Sequence, residues 1–193
     1  MKKITKRICI LCMSLLTFLS AVLAMENPKL EQFKVRSNDG FELCVNQNIS
    51  SFIGLLGEPL SKENMWAQYP KASCALYNCK FNGIECNYFD INNMVYSIYV
   101  DSKKYSICEN GMGVGTSIKS IKKEYGEPEY EKEYFSPEKN KDMIQLRYST
   151  YKADDPELFY IKNTMSCFYG VLFNIDAVTK KCDSFVIYWN LEY

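Results

Sequence analysis

The sequence contains no histidine. Histidine is the usual general base for a serine or cysteine nucleophile, so Ser-His and Cys-His mechanisms are excluded. A zinc site would need thiolates and carboxylates alone, and Cys74, Cys79 and Cys86 contain no Cys-x-x-Cys spacing. We therefore expect no metal ion and no cofactor, and carboxylates remain as the only catalytic groups for an enzyme.

An excess of basic charge is also missing. The chain has 23 basic and 23 acidic residues, and four of the basic ones lie within the first seven positions. Removal of a leader over residues 1–24 would leave 19 basic and 23 acidic residues, a net charge of −4. Because affinity for phosphate needs a basic surface, nucleic acid is not the expected partner.

Residues 1–24 have the three-part pattern of a secretory signal peptide. A basic start is followed by the apolar run Ile8–Leu23 and by Ala24 at the expected cleavage site. The rival interpretation is a retained membrane anchor, but the run is shorter than the roughly 20 residues that a span prefers. No second apolar run approaches that length. We expect a working chain that begins near Met25, is secreted or periplasmic, and has no membrane span after cleavage.

Seven cysteines follow the signal segment, an odd number that leaves at least one thiol unpaired or paired between molecules. Disulfides form in oxidising compartments, yet a chain of this size does not need them, and buried free cysteines are common. Cys79 and Cys86 flank the Asn82-Gly83 turn and are the most local candidates for a pair. The sequence does not determine the register that would join them, so the connectivity stays open.

A short pattern occurs twice, 69 residues apart. Ile49–Pro59 and Ile118–Pro128 each place apolar residues at helical spacing and then end in Gly-Glu-Pro. Asn48 and Thr116 are candidate helix caps, and the glycine and proline end each helix. Each copy is therefore expected to contain one short amphipathic helix.

Segments rich in β-branched and aromatic residues follow each helix and predict strands. A helix with one apolar stripe and a meander with one apolar face can bury those surfaces against each other. We therefore expect an α+β fold of two tandem repeats, each a short helix packed on an antiparallel β-meander, over residues 25–102 and 103–193. A short apolar segment before each helix, Phe41–Cys44 and Tyr105–Cys108, predicts one strand in each copy. The other predicted strands are Ser73–Phe81, Ile84–Phe89 and Met94–Val100 in the first copy, and Glu129–Phe135, Met143–Thr150, Ser166–Ile175 and Ser184–Trp189 in the second.

The segment Asn110–Ile118, followed by Tyr125-Gly126-Glu127-Pro128, resembles tandem modules of the β-lactamase inhibitory protein type. SmpA/OmlA-type small lipoproteins are similar. The shared pattern is a glycine-containing approach, a polar cap, a short helix, a Gly-x-Pro stop and a meander, and it covers most of residues 33 to 193. The resemblance implies an exported, non-catalytic module that binds proteins through its sheet face or its loops.

Aromatic residues provide the candidate binding surface. The chain has 15 Tyr, 11 Phe and 2 Trp, and Tyr and Trp are over-represented at binding hot spots. The alternative is ordinary packing in the core or between strands. The candidates cluster around the two helix-to-sheet connections: Trp66, Tyr69, Tyr125, Tyr130, Tyr134 and Phe135.

Alternating glutamates between Glu127 and Glu133 would share one face of an extended segment. Such a run is more often a solvated face than a catalytic site. The leading hypothesis is therefore a secreted or periplasmic non-catalytic protein-binding module, such as an inhibitor of, or immunity factor against, an extracellular enzyme. The alternatives are a cell-envelope structural or assembly factor and, last, an enzyme that uses carboxylates.

Overall fold

The computed structural model describes residues 34–68, 74–108, 110–149 and 166–192. Strands dominate this part of the chain, which contains eleven strands and two helices. The helices are α1 (Ile49–Leu56) and α2 (Ile118–Tyr125). The strands are β1 (Lys34–Ser37), β2 (Glu42–Cys44), β3 (Ser61–Asn64), β4 (Leu76–Phe81), β5 (Ile84–Phe89), β6 (Val95–Val100), β7 (Tyr105–Ile107), β8 (Tyr130–Ser136), β9 (Lys141–Ser149), β10 (Ser166–Asp176) and β11 (Cys182–Glu192).

Eight of the strands form one antiparallel sheet in the order β3-β4-β5-β6-β11-β10-β9-β8. A second, three-stranded sheet has β1 between β2 and β7. The two halves of the large sheet meet where β6 pairs with β11, with Ile98 opposite Ile187 and Val100 opposite Phe185. The large sheet therefore contains strands from both sequence copies.

The predicted fold class is wrong. We expected two helix-on-meander units of an α+β fold, whereas the protein is mostly β and is organised around a single eight-stranded sheet. The physical reason lies in β6 and β11, whose edges would otherwise expose unpaired backbone N–H and C=O groups. Their pairing satisfies these groups and buries Ile98 and Ile187 at the seam.

The predicted strands are all present, with ends within three residues of the predicted ones, and Ile84–Phe89 matches at both ends. Sequence analysis missed β1 and β3. The sequence of β3, Ser-Lys-Glu-Asn, has little β propensity. It becomes a strand because the backbone of β4 offers a partner, with Lys62 opposite Cys79.

The helix caps follow local chemistry. Asn48 caps α1 as predicted, and its side chain accepts a hydrogen bond from the N–H of Ser50. The prediction of Thr116 as the cap of α2 is wrong, because the next residue, Ser117, is the N-cap. The hydroxyl of Thr116 is already engaged and accepts the N–H of Gly113 at 3.0 Å.

Both helices and the small sheet pack on one side of the large sheet, which we call the inner face. Phe52 of α1, Ile121 of α2 and Leu43 of β2 are fully buried and belong to the same apolar cluster as Ile98 and Phe173. Because side chains alternate along a strand, the residues between the inner ones point to the opposite side, which we call the open face. Within the described ranges, no helix is long and apolar enough to cross a membrane.

Candidate functional site

A row of side chains crosses the open face from β5 to β8. Neighbours in this row are direct partners in the strand register, and all of them are at least partly exposed to solvent. The solvated side of an antiparallel sheet is normally polar, whereas the middle of this row is aromatic and aliphatic. We call it the central row, and in spatial order it consists of Glu85, Tyr99, Val186, Leu172, Arg147 and Tyr130.

The Arg147 side chain is exposed and lies over an aromatic ring. Its guanidinium carbon is 5.5 Å from the centroid of the Tyr130 ring, a contact worth about 0.5–1 kcal/mol at an exposed site. No salt bridge joins Arg147 to any carboxylate in the described part of the chain. The guanidinium is therefore positioned by the ring and retains donors for a carboxylate of another molecule.

Tyr188 occupies the open face beside the central row because its cross-strand partner is Gly170. A Cβ atom at position 170 would lie 2.3 Å from the Tyr188 ring. The missing side chain therefore allows the ring to rest on the backbone of β10, an arrangement known to support glycine in sheets. This contact leaves Tyr188 half-buried, with large aromatic area on the open face.

Two asparagine side chains and one serine hydroxyl connect β4, β5 and β6 on the open face. Asn78 Nδ2 donates to Asn87 Oδ1 at 3.0 Å, and Asn87 Nδ2 donates to Ser97 Oγ at 2.9 Å. Each bond fixes a side chain that would otherwise rotate freely. This end of the open face is therefore ordered before any partner arrives, which lowers the entropic cost of binding.

Three aromatic rings pack together at one end of the open face. The ring of Phe89 lies 5.7 Å from that of Trp66 and 5.2 Å from that of Tyr96. Two apolar side chains nearby in sequence, Met65 and Ile91, are 50% and 73% exposed. Exposed apolar groups beside ordered aromatic rings are typical of protein contact surfaces.

The turn between β8 and β9 reaches over the other half of the open face. Lys139 in this turn forms an ion pair with Asp183 of β11, although β9 and β10 lie between β8 and β11. Lys141 Nζ lies 2.8 Å from Asp176 and 2.7 Å from Asp183. This turn explains why Met143, which points to the open face, is only 1% exposed.

These four residues, Lys139, Lys141, Asp176 and Asp183, form what we call the lysine–aspartate network. Hydrogen bonds from Lys141 and from the N–H of Thr179 hold the pKa of Asp176 well below its ordinary value. Partial burial raises the pKa of Asp183, but the ion pairs with Lys139 and Lys141 outweigh it and the net shift is downward. Both carboxylates therefore stay ionised at pH values where they would be protonated in the unfolded chain.

The network predicts a loss of stability in acid. A carboxylate whose pKa is lower in the folded state contributes stability above its unfolded pKa and loses it as the pH falls through the folded pKa. Between pH 7 and pH 3, the wild-type protein should lose about 0.5–1 kcal/mol more unfolding free energy than Asp176→Asn, after allowance for solvent screening. Urea titrations at both pH values measure the difference. Asp142→Asn, an exposed change in the adjacent strand, is the control, and parallel pH curves for wild type and Asp176→Asn would contradict the prediction.

The predicted aromatic candidates do not form one cluster. Trp66, Tyr130 and Tyr134 lie on the open face, and Tyr134 donates a hydrogen bond to Asn174 Oδ1 at 3.2 Å. Tyr125 belongs to the inner face, where its ring lies 5.2 Å from that of Tyr148.

Two candidates remain. Phe135 is 54% exposed and points to the side opposite Tyr134, because it is the next residue along β8. Tyr69 lies outside the described residues. Three of the six residues proposed for binding, Trp66, Tyr130 and Tyr134, therefore lie on a single surface.

The cysteine candidates are direct neighbours across the β4–β5 hairpin. Cys79 and Cys86 are Cα partners, each is 1% exposed, and both are free thiols in the structure. Among the other thiols, burial raises the pKa of Cys108 to about 11 and that of Cys182 to about 12. Neither of these two is ionised enough near neutral pH to act as a nucleophile.

The alternating glutamates have structural contacts. Glu131 accepts a hydrogen bond from Lys122 Nζ at 2.7 Å, and Glu129 accepts one from Ser149 Oγ at 2.8 Å. In the ranges that the structure describes, no three side chains of His, Cys, Asp or Glu are grouped as a metal ion would require. These carboxylates are exposed and form no paired acid and base, which is the arrangement expected of a solvated edge.

Sequence analysis missed most of the central row. Tyr99, Leu172 and Val186 were placed in strands, but nothing distinguished them from core residues of the same type. The period-two alternation of β6 and β11 separates two faces, and this signal could have grouped Tyr99 with Tyr188 if the β6–β11 register had been known. In comparisons with known proteins, no family model, no curated protein and no solved structure matches this chain.

Proposed function

We propose that this protein is an exported, non-catalytic module that binds another protein through the open face of its large sheet. The partner that best fits an exported binding module is an extracellular enzyme, which the module would inhibit or neutralise. The proposal agrees with the secretory pattern of residues 1–24 and with the resemblance of the repeated motif to tandem inhibitor modules. It requires no residue to act as a nucleophile or as a general base.

The observation that carries the proposal is the composition of the central row. Tyr99, Val186 and Leu172 place apolar area in the middle of a solvated sheet, where burial by a partner would be favourable at roughly 25 cal/mol per Å². Tyr130 and Arg147 stand at one end of the row, and these two residue types are enriched at hot spots. The surface thus combines an apolar centre with polar margins, as protein interfaces do.

The first experiment is affinity capture with the chain from Met25 onward. An envelope and culture-supernatant extract is passed over the immobilised protein, and retained proteins are identified by mass spectrometry. Recovery of a single stoichiometric enzyme, followed by loss of its activity when the module is added, is the expected result. Recovery of envelope components without an enzyme would replace the proposal with an assembly role.

A matched pair of variants then tests whether the open face makes the contact. Tyr130 and Phe135 are both exposed aromatic residues of β8, but they point to opposite faces of the sheet. Tyr130→Ala should weaken binding of the captured enzyme by about tenfold or more, since it removes a ring and its contact with Arg147. Phe135→Ala should leave the dissociation constant unchanged. Isothermal titration calorimetry measures both, and equal effects of the two variants would reject the open face as the binding surface.

A further inference from the structure

The β4–β5 hairpin brings together two thiols that the proposed function does not use. Phe81 and Ile84 flank the turn, and Cys79 lies two residues before Phe81 while Cys86 lies two residues after Ile84. The two cysteines are therefore directly opposite each other. Directly opposed Cα atoms in antiparallel strands are about 4.5–5.5 Å apart, and a disulfide accepts about 4.4–6.8 Å. Both side chains point to the inner face, where each residue is 1% exposed. From this placement, we propose that Cys79 and Cys86 form a cross-strand disulfide when the chain folds under oxidising conditions.

None of Cys44, Cys108 and Cys182 has another thiol as its register partner, as Cys79 and Cys86 have. Cys44 is the register partner of Lys34, and Cys108 donates its backbone N–H to the carbonyl of the same Lys34 from the other side. Cys44 and Cys108 therefore lie on opposite sides of β1, so their Cα atoms are separated by two strand spacings of about 4.8 Å each. This separation exceeds the Cα–Cα limit of about 7 Å for a disulfide. Cys182 has Ile175 opposite it, so it has no thiol in the corresponding position.

The bond requires an oxidant, for which a small-molecule or protein disulfide suffices. The Cys79 thiolate attacks one sulfur of glutathione disulfide, which forms a mixed disulfide and releases one glutathione thiolate. The Cys86 thiolate then attacks the Cys79 sulfur and expels the second glutathione. Two protons and two electrons pass from the cysteines to the two glutathione molecules, so the exchange balances.

The exchange belongs to folding rather than to the folded state. Thiolates are the reacting species, and burial raises the pKa of both Cys79 and Cys86. The hairpin closes over only a few residues, so the two sulfurs can meet before α1 packs on the inner face. The proposal depends on an oxidising environment but not on any binding partner, so it can fail or hold independently of the proposed function.

Peptide mapping tests the bond in the full-length chain. The reduced, denatured protein is refolded in a buffer of reduced and oxidised glutathione, free thiols are blocked with iodoacetamide, and the product is digested with trypsin. Because Lys80 lies between the two cysteines, the bond would join peptide 72–80 to peptide 81–103. The expected result is this linked pair and no detectable carbamidomethyl Cys86. An alkylated Cys86, or peptide 81–103 linked to any other peptide, would overturn the proposal.

Cys74 also lies in peptide 72–80 and provides the matched control. The linked pair should persist in Cys74→Ser and Cys182→Ser and be lost in Cys79→Ser. Fragmentation of the wild-type linked peptides locates the bond without any variant, so the result does not depend on how well a variant folds. Fragments that assign the bond to Cys74 would reject Cys79 as the partner.

Discussion

Replacement of Phe173 by alanine is expected to lower the free energy of unfolding by about 3–5 kcal/mol. Phe173 is fully buried on the inner face, and its ring lies 5.7 Å from that of Tyr125 and 6.2 Å from those of Tyr148 and Phe185. Three aromatic neighbours held by strands and a helix cannot collapse into the space that the ring leaves. The loss therefore includes a cavity contribution as well as the lost burial.

The adjacent residue provides the control. Leu172 belongs to the same strand but points to the open face, where it is half-buried. Leu172→Ala should cost about 1 kcal/mol, since it removes less buried area and leaves no closed cavity. Urea unfolding followed by circular dichroism measures both variants. Similar losses at the two positions would mean that the assignment of inner and open faces along β10 is incorrect.

Ile187→Ala should destabilise both halves of the protein together, by about 2–5 kcal/mol. Ile187 is fully buried and lies opposite Ile98, at the point where β11 pairs with β6. The strands on either side of this seam come from different sequence copies, so a defect there weakens the contact on which both depend. We expect one cooperative unfolding transition for the whole described sheet.

Two tryptophans allow the halves to be followed separately. Trp66 packs against Phe89 in the first half, and Trp189 belongs to β11 in the second. Trp189→Phe leaves fluorescence from the first half, and Trp66→Phe leaves it from the second. Both reporters should give the same urea midpoint, and Ile187→Ala should lower both equally. Separate midpoints would instead support independent domains at 25–102 and 103–193, a division that stays a prediction.

The candidate site could be predicted from sequence only in part. The alternation of strand residues predicted one shared face for the glutamates between Glu127 and Glu133, and the register of β8 places Glu131 and Glu133 on one face. The same register places Tyr130 and Tyr134 together on the opposite face, although they had been grouped only by their position near a helix-to-sheet connection. Proximity to a helix-to-sheet connection was a poorer guide, because it grouped Tyr125, a residue of the aromatic core, with Trp66 on the open face. The same aromatic residue types occur in protein cores and at binding surfaces, so residue type alone does not distinguish a core residue from a binding residue.

The sequence by itself determined the local structure of this protein. The Asn48 cap, the helices that end at Gly57 and Gly126, and the β4–β5 hairpin depend on residues only a few positions apart. Such features follow from backbone sterics and from side-chain hydrogen bonds to nearby backbone groups, which act wherever the segment lies in the fold. For this reason the helix and strand positions were predicted closely.

Only the tertiary structure decided how the two copies combine and which surface remains open. Every unpaired strand edge offers the same N–H and C=O groups, so the sequence does not specify that β6 pairs with β11. Likewise, alternation defines two faces of a strand but not which face the helices will cover. The β6–β11 pairing aligned Tyr99 with Val186, and the packing of both helices on the other side left them partly exposed. The central row therefore results from long-range pairing and layer packing, which no local segment encodes.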